Sequence, residues 1–217
     1  MTTPEHTLVG IHLALALGFQ CRLGWRGVAL AGVAANVPDW DGVPMLLDMP
    51  RFESGHRVWG HNVLAIVATS WLLGVSQTRW DWLGRFAAWI VPKLKMLPQA
   101  PDDLGKVATL RGRSGWAKLL AFTFVATLSQ LVHLPCDMVV SGGAGLSDWP
   151  IRPWWPIANV PYVYPLIPWG DVGPTLILMT GMIVIAKRGR GVRSSSCCTL
   201  AVLVAYLVAR GSLATVV

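Results

Sequence analysis

The chain has 217 residues, of which 53% are hydrophobic and only 13% charged, with a mean hydropathy of +0.51, a net charge of +7 and 12 tryptophans. Soluble domains carry roughly a quarter charged residues, so this composition excludes an ordinary water-soluble fold and predicts one all-α, membrane-embedded domain over 1–217, a helical bundle of about four to six membrane helices. The positive balance calls for no nucleic acid, because anionic headgroups of membrane lipids are sufficient partners for basic loops.

Residues 1–20 place Glu5 and His6 ahead of an apolar stretch. A secretory signal begins with basic residues and ends in a small-residue cleavage pattern, so this segment is expected to stay in the mature protein. The runs 6–21 and 27–38 are apolar but short, with Arg22 and Arg26 between them, and the second is rich in Gly and Ala. Small residues suit close helix packing in a membrane, which predicts a tight helical hairpin. His12, six residues from His6, is expected to be a satisfied core histidine.

Pro38-Asp39-Trp40-Asp41 follows at the helix exit. Alternating Asp residues in a loop can aim oxygens at one hard cation, but they are also ordinary turn residues. In Gly55-His-Arg-Val-Trp-Gly-His61, the imidazoles of His56 and His61 flank Arg57, whose guanidinium could grip an anionic oxygen in bidentate fashion. The plain alternative is a solvated helix start.

The charge-free runs 58–78 and 119–136 are long enough for a hydrocarbon core of about 30 Å. The runs 172–186 and 194–209 are shorter and would span with snorkelling flanks or local thinning. Between them lie basic clusters: Arg79, Arg85, Lys93, Lys95, Lys106, Arg111, Arg113 and Lys118, then Lys187, Arg188, Arg190 and Arg193, with Arg22 and Arg26 as a third. The positive-inside rule puts all of these in the cytoplasm. Residues 2–6, 38–57 and 137–171 then fall on the other side, so His6, Asp39, Asp41, His56, His61, His133 and Asp137 converge on the extracytoplasmic face. Ionisable groups kept at membrane depth usually mark a site.

His133 and Asp137 are an i, i+4 pair, with β-carbons about 6 Å apart on one helix face. That spacing suits a shared metal or a supporting His–Asp hydrogen bond; the alternative is a core histidine and a capping aspartate. Pro135 is expected to kink or end this helix. Residues 141–169 set Trp149, Trp154, Trp155 and Trp169 among prolines, which forbids a long helix and places amphipathic rings at headgroup level. That segment is an interfacial belt, or the mouth of the site. Cys21, Cys136, Cys197 and Cys198 form no disulfide framework and read as unpaired thiols.

The stretches His6-Thr7, Pro38-Asp-Trp-Asp41, His56-Arg-Val-Trp-Gly-His61, His133-Leu-Pro-Cys-Asp137 and Ser147-Asp-Trp-Pro150, in this order, resemble the YdjM-like metal-dependent hydrolases, LexA-binding and associated with the inner membrane. The resemblance covers 1–157, leaving 158–217 as additional membrane helices. That family is in turn similar to zinc-dependent phospholipase C and single-strand nucleases, helical phosphoesterases with His and Asp zinc ligands. The resemblance implies His6, Asp41, His56, His61, His133 and Asp137 as metal ligands and Asp39 as a further ligand or base. No histidine follows His133, so one or two divalent ions, zinc by this likeness, are expected rather than three.

The expectation is a multi-pass inner-membrane enzyme that hydrolyses a phosphoester, either a small molecule or a lipid-linked one. Asp39 would orient the attacking water, and Arg57 would stabilise charge on the phosphoryl group, unless it is a headgroup anchor. A non-enzymatic reading stands beside it: His12, His61 and His133 could ligate haem in an electron carrier, or the site could relay ions in a transporter. Haem would have no use for Asp39, Asp41 and Asp137.

Overall fold

The computed structural model describes residues 1–47, 55–90, 114–143, 148–189 and 191–214, which form helices and irregular connections with no strand among them. Lys93, Lys95, Lys106, Arg111, Arg113, Arg190 and Ser147 lie outside the described residues. In chain order come α1 (Thr3–Ala16), α2 (Phe19–Leu23), α3 (Trp25–Ala34), a 3-10 helix (Val37–Leu46), α4 (Val63–Trp80), α5 (Trp82–Ile90), α6 (Gly115–Val139), α7 (Val172–Arg188) and α8 (Val192–Ala214).

Polar residues start these helices by accepting amide groups that have no partner within the helix. Asn62 accepts from Ala65 at 2.8 Å, Ser114 from Ala117 at 3.3 Å, and Asp171 from Gly173 at 2.8 Å. The expected N-terminal hairpin is α1 packed on α3. A Cβ on Gly10 would stand 2.5 Å from the Ala31 carbonyl oxygen, so only glycine permits this approach.

The longest pairing is α4 along α6. Thr69 donates to Gln130 Oε1 at 2.8 Å, and Gln130 Nε2 donates to Ser70 at 3.0 Å, so the buried amide is satisfied across the helix pair. α7 and α8 form a hairpin that packs on α1. There, Thr175 donates to the buried Glu5 at 2.6 Å, while His12 lies 3.1 Å from the Leu178 carbonyl oxygen and 3.4 Å from Ser196 Oγ. His12 is the satisfied core histidine expected. The free state of all the cysteines also agrees with the sequence reading.

Among the described helices, Gly115–Val139 and Val192–Leu213 are long and apolar enough to cross a membrane. The run 58–78 yields less helix than its lack of charge predicts: residues 56–62 form turns and bends, and α4 keeps 18 residues. Two local features account for this. Arg57 has a φ of 59°, outside the helical region, and the Asn62 cap starts the helix only at Val63. α7 has 17 residues. Pro135 lies inside α6, which continues to Val139.

Arg22, Arg26, Arg79, Arg85 and Arg193 lie at one end of the bundle, while Arg57, Arg152 and Arg210 lie at the other, the last paired with Asp171. Arg26 pairs with Asp81 at 2.7 Å, beside Arg79 and Arg85, and Arg193 donates to the Ala16 carbonyl at the end of α1, 2.9 Å away. His6 lies ten residues earlier on α1, a rise of about 15 Å. At that other end, residues 148–171 fold across the helix termini: Ile151 and Tyr162 exchange backbone bonds of 2.9 and 2.8 Å, and Val63 donates to the Pro153 carbonyl at 2.9 Å.

Candidate metal centre

Several separate chain segments deliver side chains to this end. The last turns of α6 present His133 and Asp137 one turn apart, the 3-10 segment after α3 carries Asp39 and Asp41, the turn before α4 brings His56, Arg57 and His61, and α1 contributes His6. His6, Asp41, His61, His133 and Asp137 are all buried. Asp39 is part-open, with 25% of its side chain exposed, and His56 less so, with 14%. Buried ionisable groups persist only when paired or coordinating.

The second ring nitrogens decide the histidine tautomers. His133 Nδ1 lies 2.7 Å from the Ala35 carbonyl, an oxygen that can only accept, so Nδ1 carries the proton. His61 Nδ1 lies 3.1 Å from Asp41 Oδ2, which Gly60 N–H also approaches at 2.8 Å. In the neutral rings both Nε2 atoms therefore present lone pairs, and they face each other at 2.9 Å. Two bare lone pairs at that separation would repel, so a proton or a metal cation belongs between them. A backbone carbonyl or carboxylate behind a ligating imidazole is also the usual supporting arrangement of a metal site.

The remaining donors complete a cage. Asp39 Oδ1 is 3.6 Å from His61 Nε2 and 3.4 Å from His133 Nε2; Asp137 Oδ2 is 3.3 and 3.5 Å from the same atoms. Tetrahedral zinc, with bonds of about 2.0–2.1 Å, holds its donors about 3.3–3.4 Å apart. His6, Asp39, His133 and Asp137 likewise offer donor atoms within 4.8 Å of one another. The donor set of imidazole and carboxylate therefore fits a divalent cation, and the open side of Asp39 gives an entry path.

Two other expected ligands, Asp41 and His56, stand one layer back, while His6 borders the cage itself. Asp41 supports His61 rather than joining the cage, with Oδ1 turned toward His56 Nδ1 at 3.4 Å. His56 is edge-on to His61, ring centroids 6.0 Å apart. His6 stacks on His133 with centroids 3.7 Å apart, and its Nε2 reaches Asp137 Oδ1 at 3.0 Å; its Nδ1 is buried with no hydrogen-bond partner. The Met1 amine also touches Asp137 Oδ1.

Arg57 is wholly enclosed. It donates to the Asp137 carbonyl at 2.8 Å and the Trp149 carbonyl at 3.0 Å, its Nε lies 3.1 Å from Asp137 Oδ2, and its guanidinium sits over the Trp149 ring at 5.5 Å. The fork grips the end of α6 and fixes the Asp137 carboxylate. Sequence reasoning missed the partners that hold the cage: the Ala35 carbonyl, Gly60, and Ser141, whose Oγ accepts from Trp149 N–H at 2.9 Å and from Arg57 at 3.4 Å. Only Gly60 left a trace in the sequence, as a glycine between two ligand candidates; a Cβ there would collide with the Pro38 carbonyl.

Burial pushes the Asp39 carboxyl up, but hydrogen bonds from His133 and His61 outweigh it and hold the group well below the usual carboxylate range. Asp41 is treated alike: burial raises it, while bonds from His56 and His61 pull it well down. Positive charge and donated protons beside Asp39 and Asp41 thus keep both ionised, a part that a bound cation would take over when the imidazoles are neutral ligands.

A family model described as "YdjM inner membrane protein" matches residues 1–213 of this chain, including α7 and nearly all of α8. No curated protein and no solved structure matches.

Proposed function

Because the chain belongs to the YdjM inner membrane protein family, we propose that it is a membrane-bound, metal-dependent hydrolase of phosphoesters, built as a multi-pass bundle with its site on the extracytoplasmic side. The observation that carries this reading is the pair of Nε2 atoms 2.9 Å apart, ringed by carboxylate oxygens. His61, His133, Asp39 and Asp137 would hold the ion, and zinc suits this donor set. His6 is placed to join them or to serve a second ion through Asp137 Oδ1.

A divalent ion bound there supplies Lewis acidity, polarising a phosphoryl oxygen and bringing a water's pKa toward neutrality. The chain's own residues do the rest. Asp41 and the Ala35 carbonyl hold the Nδ1 protons and so aim both Nε2 atoms. Arg57 acts through Asp137, locking its carboxylate by the side chain and by the backbone carbonyl. Asp39, the exposed member, is the group that meets an arriving substrate and can orient a water. Trp149, Trp154 and Trp169 line the surrounding segment at headgroup depth, which favours a lipid-linked phosphoester.

The haem alternative meets a geometric obstacle: a porphyrin must lie between its axial nitrogens, and 2.9 Å between His61 and His133 leaves no such gap. His12 is engaged elsewhere. The test is a screen of zinc-loaded protein in detergent against bis(p-nitrophenyl) phosphate, a phosphatidylcholine and a polyprenyl phosphate. Hydrolysis of one of them, abolished by Asp39→Ala, is expected; no turnover of any with metal bound would remove the hydrolase reading.

A further inference from the structure

Between α7 and α8 runs a groove of about 480 Å³. Leu176, Gly181, Val184, Cys198, Thr199 and Val202 line it, with Arg188 and Ser194 where the two helices meet. The concavity has a cause in the sequence. Gly181 has no side chain, since a Cβ would come within 2.8 Å of His12 Cε1, and Thr199 turns back to donate to the Ser195 carbonyl at 2.9 Å.

The groove opens where lipid would be. Only 22% of the most apolar window of α8 is buried, and Leu176 and Val202 are more than half exposed. Between residues 176 and 188, α7 rises about 18 Å, close to one leaflet of a hydrocarbon core of about 30 Å. The end where the helices meet is basic: Lys187 and Arg188 finish α7, and Arg193 lies in the first turn of α8. Arg193 is committed to the Ala16 carbonyl. Arg188 is exposed and makes no hydrogen bond or ion pair among the described residues, so its charge is available.

We propose that the α7–α8 groove binds one anionic phospholipid, an acyl chain along Leu176–Val202 and the phosphate on Arg188. An apolar slot one leaflet deep with a free guanidinium at its basic end matches that ligand in shape and charge, whereas a zwitterionic lipid would satisfy only the slot. A basic residue near a membrane surface favours anionic lipid by about 1 kcal/mol, which corresponds to about a fivefold preference.

Native mass spectrometry of the full chain in detergent, with equimolar phosphatidylglycerol and phosphatidylcholine, tests it. The expected result is a single phosphatidylglycerol adduct favoured about fivefold, the preference lost in Arg188→Gln and the adduct itself lost in Cys198→Trp, which fills the slot. Arg85→Gln, at the same basic end but outside the groove, should leave both unchanged. Equal retention of the two lipids, an unaltered preference in Arg188→Gln, or equal loss in Arg85→Gln would overturn the assignment. So would a dimer in lipid-free detergent that Cys198→Trp dissolves, since the groove would then belong to a second copy of the chain.

Discussion

Asp39 and Asp41 show where residue-level reading of the sequence stops. Both were legible as candidates, because paired aspartates at the end of an apolar run are costly without a purpose. Which one enters the cage was not legible. That depends on the 3-10 path of Val37–Leu46 and on Gly60 lying against the Pro38 carbonyl, which turn Asp39 inward to the Nε2 atoms and leave Asp41 behind His61. Asp41→Asn should therefore weaken zinc affinity about 10 to 100-fold without destroying the site, the usual scale for a supporting partner, as read by chelator competition. His12→Leu should leave metal content unchanged. Arg57 was legible as a charge between histidines, but not as a clamp, since its carbonyl partners Asp137 and Trp149 lie 80 and 92 residues away. Arg57→Lys keeps the charge and loses the fork; bound metal should persist while turnover of a confirmed substrate falls about 10²-fold, the scale of one lost preorganised donor. Wild-type turnover in Arg57→Lys would refute the positioning role.

At the scale of elements, the hairpin of α1 and α3 followed from its Gly and Ala content, and α6 from its charge-free run. The start of α4 did not, because apolar character alone cannot show that residues 56–62 spend their polar groups on a site rather than on a helix. The clamp of Gln130 between Thr69 and Ser70 sets how α6 is rotated against α4, and thus where His133 and Asp137 point. Gln130→Leu should lower bundle stability by about 0.6–2 kcal/mol, the range for an interhelical hydrogen bond in a membrane, seen as a lower thermal midpoint in detergent. No shift in the midpoint would show that packing, not the amide, holds the pair. Metal release on acidification belongs here too: Asp39 and Asp41 stay ionised well below their ordinary range, so the imidazoles should govern the loss. Burial lowers the His61 imidazole, but hydrogen bonds to Asp137, Asp39 and Asp41 outweigh it and raise it well above its ordinary value, so protons compete with the ion and binding should weaken as the pH falls, starting above the range of a free imidazole.

Over the whole molecule, the grouping of the basic clusters was the most legible feature, because lysine and arginine counts say nothing about ligands; Arg57, Arg152 and Arg210 stand apart from it at the ligand end. Arg26, Arg79 and Arg193 gather at one end and His6, His61 and His133 at the other. If the basic end is cytoplasmic, a cysteine placed at Ala158 should react with a membrane-impermeant thiol reagent in intact spheroplasts, and one placed at Ser114 should react only after lysis. Both reacting from the same side would end the single-face reading.

The central claim is that His61, His133, Asp39 and Asp137 hold a divalent ion between them. Its most direct test is the metal content, by elemental mass spectrometry, of purified and dialysed protein beside a His61→Ala, His133→Ala double variant whose helicity is intact. The wild type should retain about one equivalent of zinc or more, and the double variant close to none at the caged position. Equal metal content in the two proteins, or none in the wild type after zinc loading, would contradict it.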